Sequence, residues 1–119
     1  MKLLFVDDEP DIRELVEIAL STESDIDVRF ESGGGDAIET LKTEVFDIIM
    51  LDVMMPPPDG IDILRAIRRN AIHDKTIVIM CTAKTSQEAE IEFRELGANH
   101  VLHKPFKPLQ LADFLSKYS

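Results

Sequence analysis

The chain has 119 residues, of which 45% are hydrophobic, and a formal net charge of −10. That size and composition fit one folded domain over residues 1–119 with a single core, and exclude a disordered chain. No apolar run approaches the roughly 20 residues of a membrane span, the lone Cys81 excludes a disulfide framework and points to a reducing cytosol, and the acidity disfavours nucleic acid as a direct partner.

In chain order, Leu3-Leu4-Phe5-Val6 reads as a buried strand at about 2–7, and charge at Asp7-Asp8 comes too early for a secretory signal. Glu9-Pro10-Asp11 then starts a helix, with Ile12, Leu15, Val16, Ala19 and Leu20 at helical spacing. Asp27-Val28-Arg29-Phe30 alternates, as expected of a strand exposed on one side. A helix with Ala37, Ile38 and Leu41 follows. Ile48-Ile49-Met50-Leu51 is a third strand, ending at Asp52. A proline-rich loop, Pro56-Pro57-Pro58-Asp59-Gly60, leads into a helix expected to bury Ile61, Leu64 and Ile67. Ile77-Val78-Ile79-Met80-Cys81 is a fourth strand. Beyond it, Thr85 and Glu88 form a candidate capping box for a helix with Ala89, Phe93 and Leu96, which Gly97 would end. His100-Val101-Leu102-His103 is a fifth strand, and a last helix starts near Pro108 with Leu111, Leu115 and Tyr118. No repeat, low-complexity tract or linker interrupts the pattern. Five βα units with nearly continuous apolar strands predict a doubly wound, flavodoxin-like (βα)5 sandwich of three layers. Its five-stranded parallel sheet should run in the order 2-1-3-4-5, with the weaker second strand at an edge.

Each of the four apolar strands ends in a residue suited to phosphate or metal chemistry: Asp7-Asp8, Asp52, Thr82 and Lys104. Ligands of open α/β sheets bind just outside the carboxyl ends of the strands. An aspartate accepts a phosphoryl group when a metal and a cation neutralise the incoming charge. Asp52, on a central strand, suits that role. Three neighbouring carboxylates repel one another, which raises a pKa or recruits a cation. Magnesium suits oxygen ligands and keeps several waters. Lys104 is a mobile point charge for phosphate oxygens, and the Thr82 hydroxyl can donate to one. Singly, each has a plainer explanation: a helix cap, a turn residue, a surface lysine. Their conjunction at four strand ends carries the weight.

Those residues resemble the receiver domain of bacterial two-component response regulators over essentially the whole chain. Phe5-Val6-Asp7-Asp8-Glu9-Pro10 resembles the family's acidic opening, and Leu51-Asp52-Val53-Met54-Met55-Pro56 with Asp59-Gly60 its phosphorylation segment. Thr82-Ala83 resembles its hydroxyl and small neighbour, and Lys104-Pro105-Phe106 its lysine–proline signature. The gaps agree too: 44 positions from Asp8 to Asp52, 30 to Thr82 and 22 more to Lys104. The resemblance implies that Asp52 takes a phosphoryl group from a sensor histidine kinase or a histidine phosphotransfer protein. It implies that magnesium, or manganese in its place, is held by Asp8, Asp52 and the Met54 backbone carbonyl, with Asp7 acting through water. Lys104 would pair with the phosphate, and its bond to Pro105 would be cis. Thr82 would move toward the phosphate and change the face made by the fourth helix, fifth strand and fifth helix. Such a chain is no enzyme beyond its own phosphorylation and dephosphorylation. An effector domain or downstream protein, and a homodimer, are open as partners; a membrane is not expected.

The chain departs from the family pattern in places. Val101 stands where an aromatic residue often swings inward, and valine has no ring to rotate. Pro57-Pro58 replace a frequent glycine and methionine, and three prolines stiffen the loop. Met54 and Lys84 occupy positions that tune phosphate loss in the family. His100 and His103, three apart on a strand, point to opposite faces and make a poor zinc pair. Gly33-Gly34-Gly35 lacks a following Gly-Lys-Ser/Thr and reads as a permissive turn, and Cys81 as a core thiol. Three other readings stay open: an aspartyl-phosphate hydrolase of the haloacid dehalogenase type, a flavodoxin-like mononucleotide binder, and a receiver-like module without phosphorylation. The first wants an aspartate where Met54 stands, and the second a phosphate loop where Asp7-Asp8-Glu9 would repel the ligand.

Overall fold

A computed structural model describes residues 1–83 and 86–118. Its five strands are β1 (Lys2–Val6), β2 (Asp27–Glu31), β3 (Ile48–Asp52), β4 (Ile77–Thr82) and β5 (His100–His103). All pairings are parallel and the order is β2-β1-β3-β4-β5, as the alternation of elements predicts. The helices are α1 (Pro10–Leu20), α2 (Gly34–Leu41), α3 (Gly60–Arg68), α4 (Gln87–Glu95) and α5 (Pro108–Ser116). A short 3-10 turn at Ala71–His73, unforeseen in the sequence, links α3 to β4.

The two faces of the sheet are separate halves of the core. Leu4, Val6, Ile49, Leu51, Val78 and Met80 face α2, α3 and α4, where they meet Ala37, Leu41, Ile63, Leu64, Ile67 and Phe93. Leu3, Phe5, Ile48, Met50, Ile79 and Cys81 face α1 and α5, against Val16, Leu20, Leu111 and Leu115. The period-two alternation of each strand feeds both layers, which is why these strands read as continuously apolar. β2, an edge strand, has no fully buried residue.

Some details differ from the sequence reading. Leu15 is 49% exposed although it sits at helical spacing, because α1 turns only Val16 and Leu20 fully inward. In α3 the fully buried isoleucines are Ile63 and Ile67, with Ile61 only half-buried, because the stripe runs Gly60, Ile63, Leu64, Ile67. The Thr85 half of the expected capping box lies outside the described residues. The N-cap of α4 is Ser86, whose hydroxyl accepts from the Ala89 amide at 3.2 Å. Gly97 follows α4 with φ of 111°, the left-handed region that glycine enters without a Cβ penalty.

The base of the sheet is tied by Arg68. Its Nε donates to the Gly97 carbonyl at 2.9 Å, Nη1 to the His73 carbonyl at 3.2 Å, and Nη2 to the Thr76 carbonyl and to Asn99 Oδ1 at 3.0 and 2.9 Å. Burial lowers the Arg68 pKa, partly offset by the charge of Asp74. This is the end of the molecule opposite the carboxyl ends of the strands.

Candidate functional site

The parallel register brings the strand ends level. Val6 pairs with Leu51, Asp52 with Cys81, and Thr82 with His103. Backbone bonds continue past the strands: Asp7 N donates to Glu31 O at 3.2 Å, Val53 N to Cys81 O at 3.0 Å, and Lys104 N to Thr82 O at 2.8 Å. Asp7, Asp8, Asp52 and Lys104 therefore converge at one edge, with Thr82 ending the strand between β3 and β5.

Asp7, Asp52 and Thr82 are buried, at 0%, 4% and 1% exposure, while Asp8 is exposed. The Lys104 ammonium donates to Asp7 Oδ2 at 3.0 Å and lies 3.2 Å from Asp52 Oδ1. Asp7 is further held by the Glu9 amide, which donates to its Oδ1 at 2.9 Å, and Arg13 Nη1 donates to its backbone carbonyl at 2.7 Å. The Met54 amide donates to Asp52 Oδ1 at 3.3 Å. Arg13 escaped the sequence reading; only its position one turn into α1, six residues after Asp7, hinted at it.

The charges do not balance. Burial raises the Asp52 pKa first, and repulsion from Asp7 adds to it; Lys104 and the Met54 amide pull the other way without cancelling the rise. For Lys104, burial alone would lower the pKa. The hydrogen bond to Asp7 and the charges of Asp7 and Asp52 outweigh it, and the ammonium is held above its ordinary value. One lysine thus serves two buried carboxylates with a third beside them. Oxygen atoms of Asp7, Asp8 and Asp52 all lie within 4.8 Å of one another. A compact, all-oxygen, negatively charged set fits a hard divalent cation of the magnesium class.

The other expected residues sit around this pocket. Ala83 is exposed just beyond β4, and Met54 is 65% exposed just beyond β3. Val101 lies on β5 opposite Met80, half-buried against the α2–α4 side of the core. Lys84 lies outside the described residues. The Lys104–Pro105 peptide bond is cis, and so is Pro57–Pro58, which the sequence did not suggest. Cys81 is buried, and burial pushes its thiol up to about 12. His100 packs edge-on against Phe114 and Tyr118, whereas His103 is exposed, so the two histidines share no site.

Comparison with known proteins gives this edge a family. The response regulator receiver domain matches residues 3–116. The chain belongs to that family. The transcriptional regulatory protein DltR of Streptococcus agalactiae is 31% identical over 112 residues, 93% of this chain and 48% of that protein, so the receiver domain spans about half the length of such curated relatives. The chemotaxis protein CheY4 of Vibrio cholerae has a solved structure with a TM-score of 0.90 and 32% identity, covering 99% of this chain and 98% of that one. The receiver domain of a Francisella response regulator has a TM-score of 0.87 at 32% identity, covering 98% and 94%. Receiver domains take phosphoryl groups from histidine kinases and use magnesium at an acidic pocket. The matches favour neither the hydrolase, nor the nucleotide binder, nor the module without phosphorylation. No helix among the described residues is long and apolar enough to cross a membrane.

Proposed function

We propose that Asp52 is the phosphoacceptor of this receiver domain and that Asp7, Asp8, Thr82 and Lys104 are its working parts. The observation that carries the reading is the Lys104 ammonium lying 3.2 Å from Asp52, within a cluster of three carboxylates. In the reaction, one Asp52 oxygen bonds to phosphorus as the phosphorus–nitrogen bond of a phosphohistidine breaks. The imidazole leaves with the electron pair and takes up a proton, and an acyl phosphate remains on Asp52. Magnesium or manganese would be held by Asp8, Asp52 and the Met54 carbonyl, with Asp7 acting through water, and when bound would neutralise phosphoryl charge. Lys104, already partly desolvated and 3.2 Å from Asp52, needs only a short shift from the carboxylates to pair with phosphoryl oxygens. The Thr82 hydroxyl donates to another oxygen and draws the chain after β4, including Ala83 and Lys84, toward the phosphate.

The donor is a sensor histidine kinase or a histidine phosphotransfer protein, and the chain catalyses only its own phosphorylation and dephosphorylation. Output passes through the α4–β5–α5 face to an effector domain or a downstream protein. Val101, already packed against the core, has no ring to swing, so the readout rests on Thr82 and the loop it leads. Intact-mass measurement after incubation with acetyl phosphate tests the acceptor. One phosphoryl group should be added, should require magnesium, and should be absent in Asp52→Asn; full labelling of that variant would end the assignment.

A further inference from the structure

The run Gly33-Gly34-Gly35 opens α2, with Gly33 as N-cap and Gly34 as the first helical residue. Its members meet different surroundings. A Cβ added at Gly33 or Gly35 has nothing within 4 Å. A Cβ added at Gly34 would strike the Pro58 carbonyl oxygen and come within 2.8 Å of its carbonyl carbon and 2.9 Å of its Cβ. Among the glycines only Gly97 has positive φ, so close approach rather than backbone conformation calls for glycine at position 34. The obstacle is main chain within a proline run whose φ angles are fixed. It cannot swing aside as the tip of a side chain would.

Pro58 belongs to the loop 53–59 that joins β3 to α3. The loop leaves Asp52 through Val53 and Met54, both hydrogen-bonded at the site. Its far end is fixed by the reciprocal capping bonds of Asp59 and Asp62, each 2.9 Å, and by Gly60, where a Cβ would strike the Asp52 carbonyl oxygen. Between these ends, Pro56 and Pro57 are exposed and Pro58 is half-buried against α2. Behind Gly34, α2 is anchored in the core by Ala37 and Leu41. Of the two surfaces in contact, α2 is packed along its length and the loop is tied only at its ends. A Cβ therefore shifts the stiff loop as a unit, and the displacement falls on its longer tie, the 3.3 Å Met54–Asp52 bond rather than the 2.9 Å capping bonds.

We propose that Gly34 is a positioning residue for phosphoryl transfer: seated against Pro58, it sets where the loop holds the Met54 backbone beside Asp52. The proposal rests on the reading of Asp52 as acceptor. A Cβ at position 34 moves the loop by roughly 1 Å, a displacement that costs on the order of 100-fold in oriented reactions.

The test compares Gly34→Ala with Gly35→Ala, which makes the same change one residue on, at an exposed position without neighbours. Three quantities are read: magnesium affinity by calorimetry, Asp52 labelling rate by acetyl phosphate at saturating magnesium, and melting temperature. Gly35→Ala should match the wild type in affinity and rate. Gly34→Ala should bind magnesium about tenfold more weakly and label ~10–100-fold more slowly, well below its melting temperature. A purely structural glycine would lower only the melting temperature, so wild-type affinity and rate in a destabilised Gly34→Ala overturn the proposal. If Gly34→Ala does not fold, it is placed in a Pro57→Ala/Pro58→Ala background, where the loop can give way. There the seat is loosened from the loop side, so the Pro57→Ala/Pro58→Ala protein with Gly34 intact should already bind magnesium more weakly than the wild type, and wild-type affinity in it overturns the proposal. Labelling of the wild type away from Asp52 would refute the acceptor reading instead, and the magnesium arm would still decide on Gly34.

Discussion

Replacing Asp52 by asparagine should stabilise the metal-free protein while abolishing its function. Asp52 is 4% exposed, and its carboxylate is 3.2 Å from the Lys104 ammonium. At an effective dielectric constant of about 20 that contact is worth about 5 kcal/mol. An Asp7 oxygen lies within 4.8 Å of an Asp52 oxygen, and the repulsion returns about 3.5 kcal/mol at the same dielectric constant. The difference is smaller than the several kcal/mol that desolvating a carboxylate costs. The net sign agrees with a pKa raised by burial and by Asp7 against the pull of Lys104. Folding then favours protonated Asp52. Its contribution is present below the ordinary value of 3.8 and is lost as pH rises through the raised value. At pH 7 the ionised group opposes folding, and Asp52→Asn, which keeps the shape and the Met54 contact, should gain about 1–2 kcal/mol, the part of the desolvation cost that the net attraction leaves uncompensated. For a domain of this size that is roughly 4–8 °C in melting temperature. Melting curves in EDTA from pH 4 to 7.5 would show the advantage opening as pH rises. Saturating magnesium should reverse the order if Asp52 is one of its ligands, as proposed, because the ion then binds the folded wild type more tightly than the variant. An Asp52→Asn protein less stable than wild type in EDTA at pH 7, or an advantage that does not change with pH, would refute the electrostatic account.

Other sites give independent checks. Arg68→Met removes four hydrogen bonds from a half-buried guanidinium and should cost about 2–4 kcal/mol in urea unfolding, with Asp52 labelling intact once folded; a loss under about 1 kcal/mol would contradict the role given to this tie. Cys81, with its thiol pushed up to about 12, should resist a disulfide reagent at pH 8 and react fully only in denaturant. Rapid native labelling would place it outside the core. Thr82→Ala should still accept a phosphoryl group while the amide-exchange response of α4 to phosphorylation weakens; an undiminished response would remove Thr82 from the relay.

The positions where sequence reading fell short share a physical cause. Leu15 and Ile61 fit a helical stripe, but periodicity gives a face only to within a residue; packing kept the expected Val16 inside and left Leu15 out, and buried Ile63 rather than Ile61. Arg68 reads as one of several basic residues near a helix end. Its four partners come from two separate segments, 73–76 and 97–99, which nothing local announces. Gly34 matters for the same reason, meeting backbone that is distant along the chain.

The sequence by itself determined the layers, the strand order and the identity of the polar residue at each strand end. Apolar runs, alternation and helix boundaries are local properties of the chain, and a parallel sheet delivers all its strand ends to one side. The tertiary structure alone decided how those residues share charge. The 3.0 Å and 3.2 Å contacts of one lysine with two buried carboxylates depend on strand register and on what excludes water. So does the seating of the proline loop against α2, because close approach between segments is set by packing and leaves no periodic trace in the sequence.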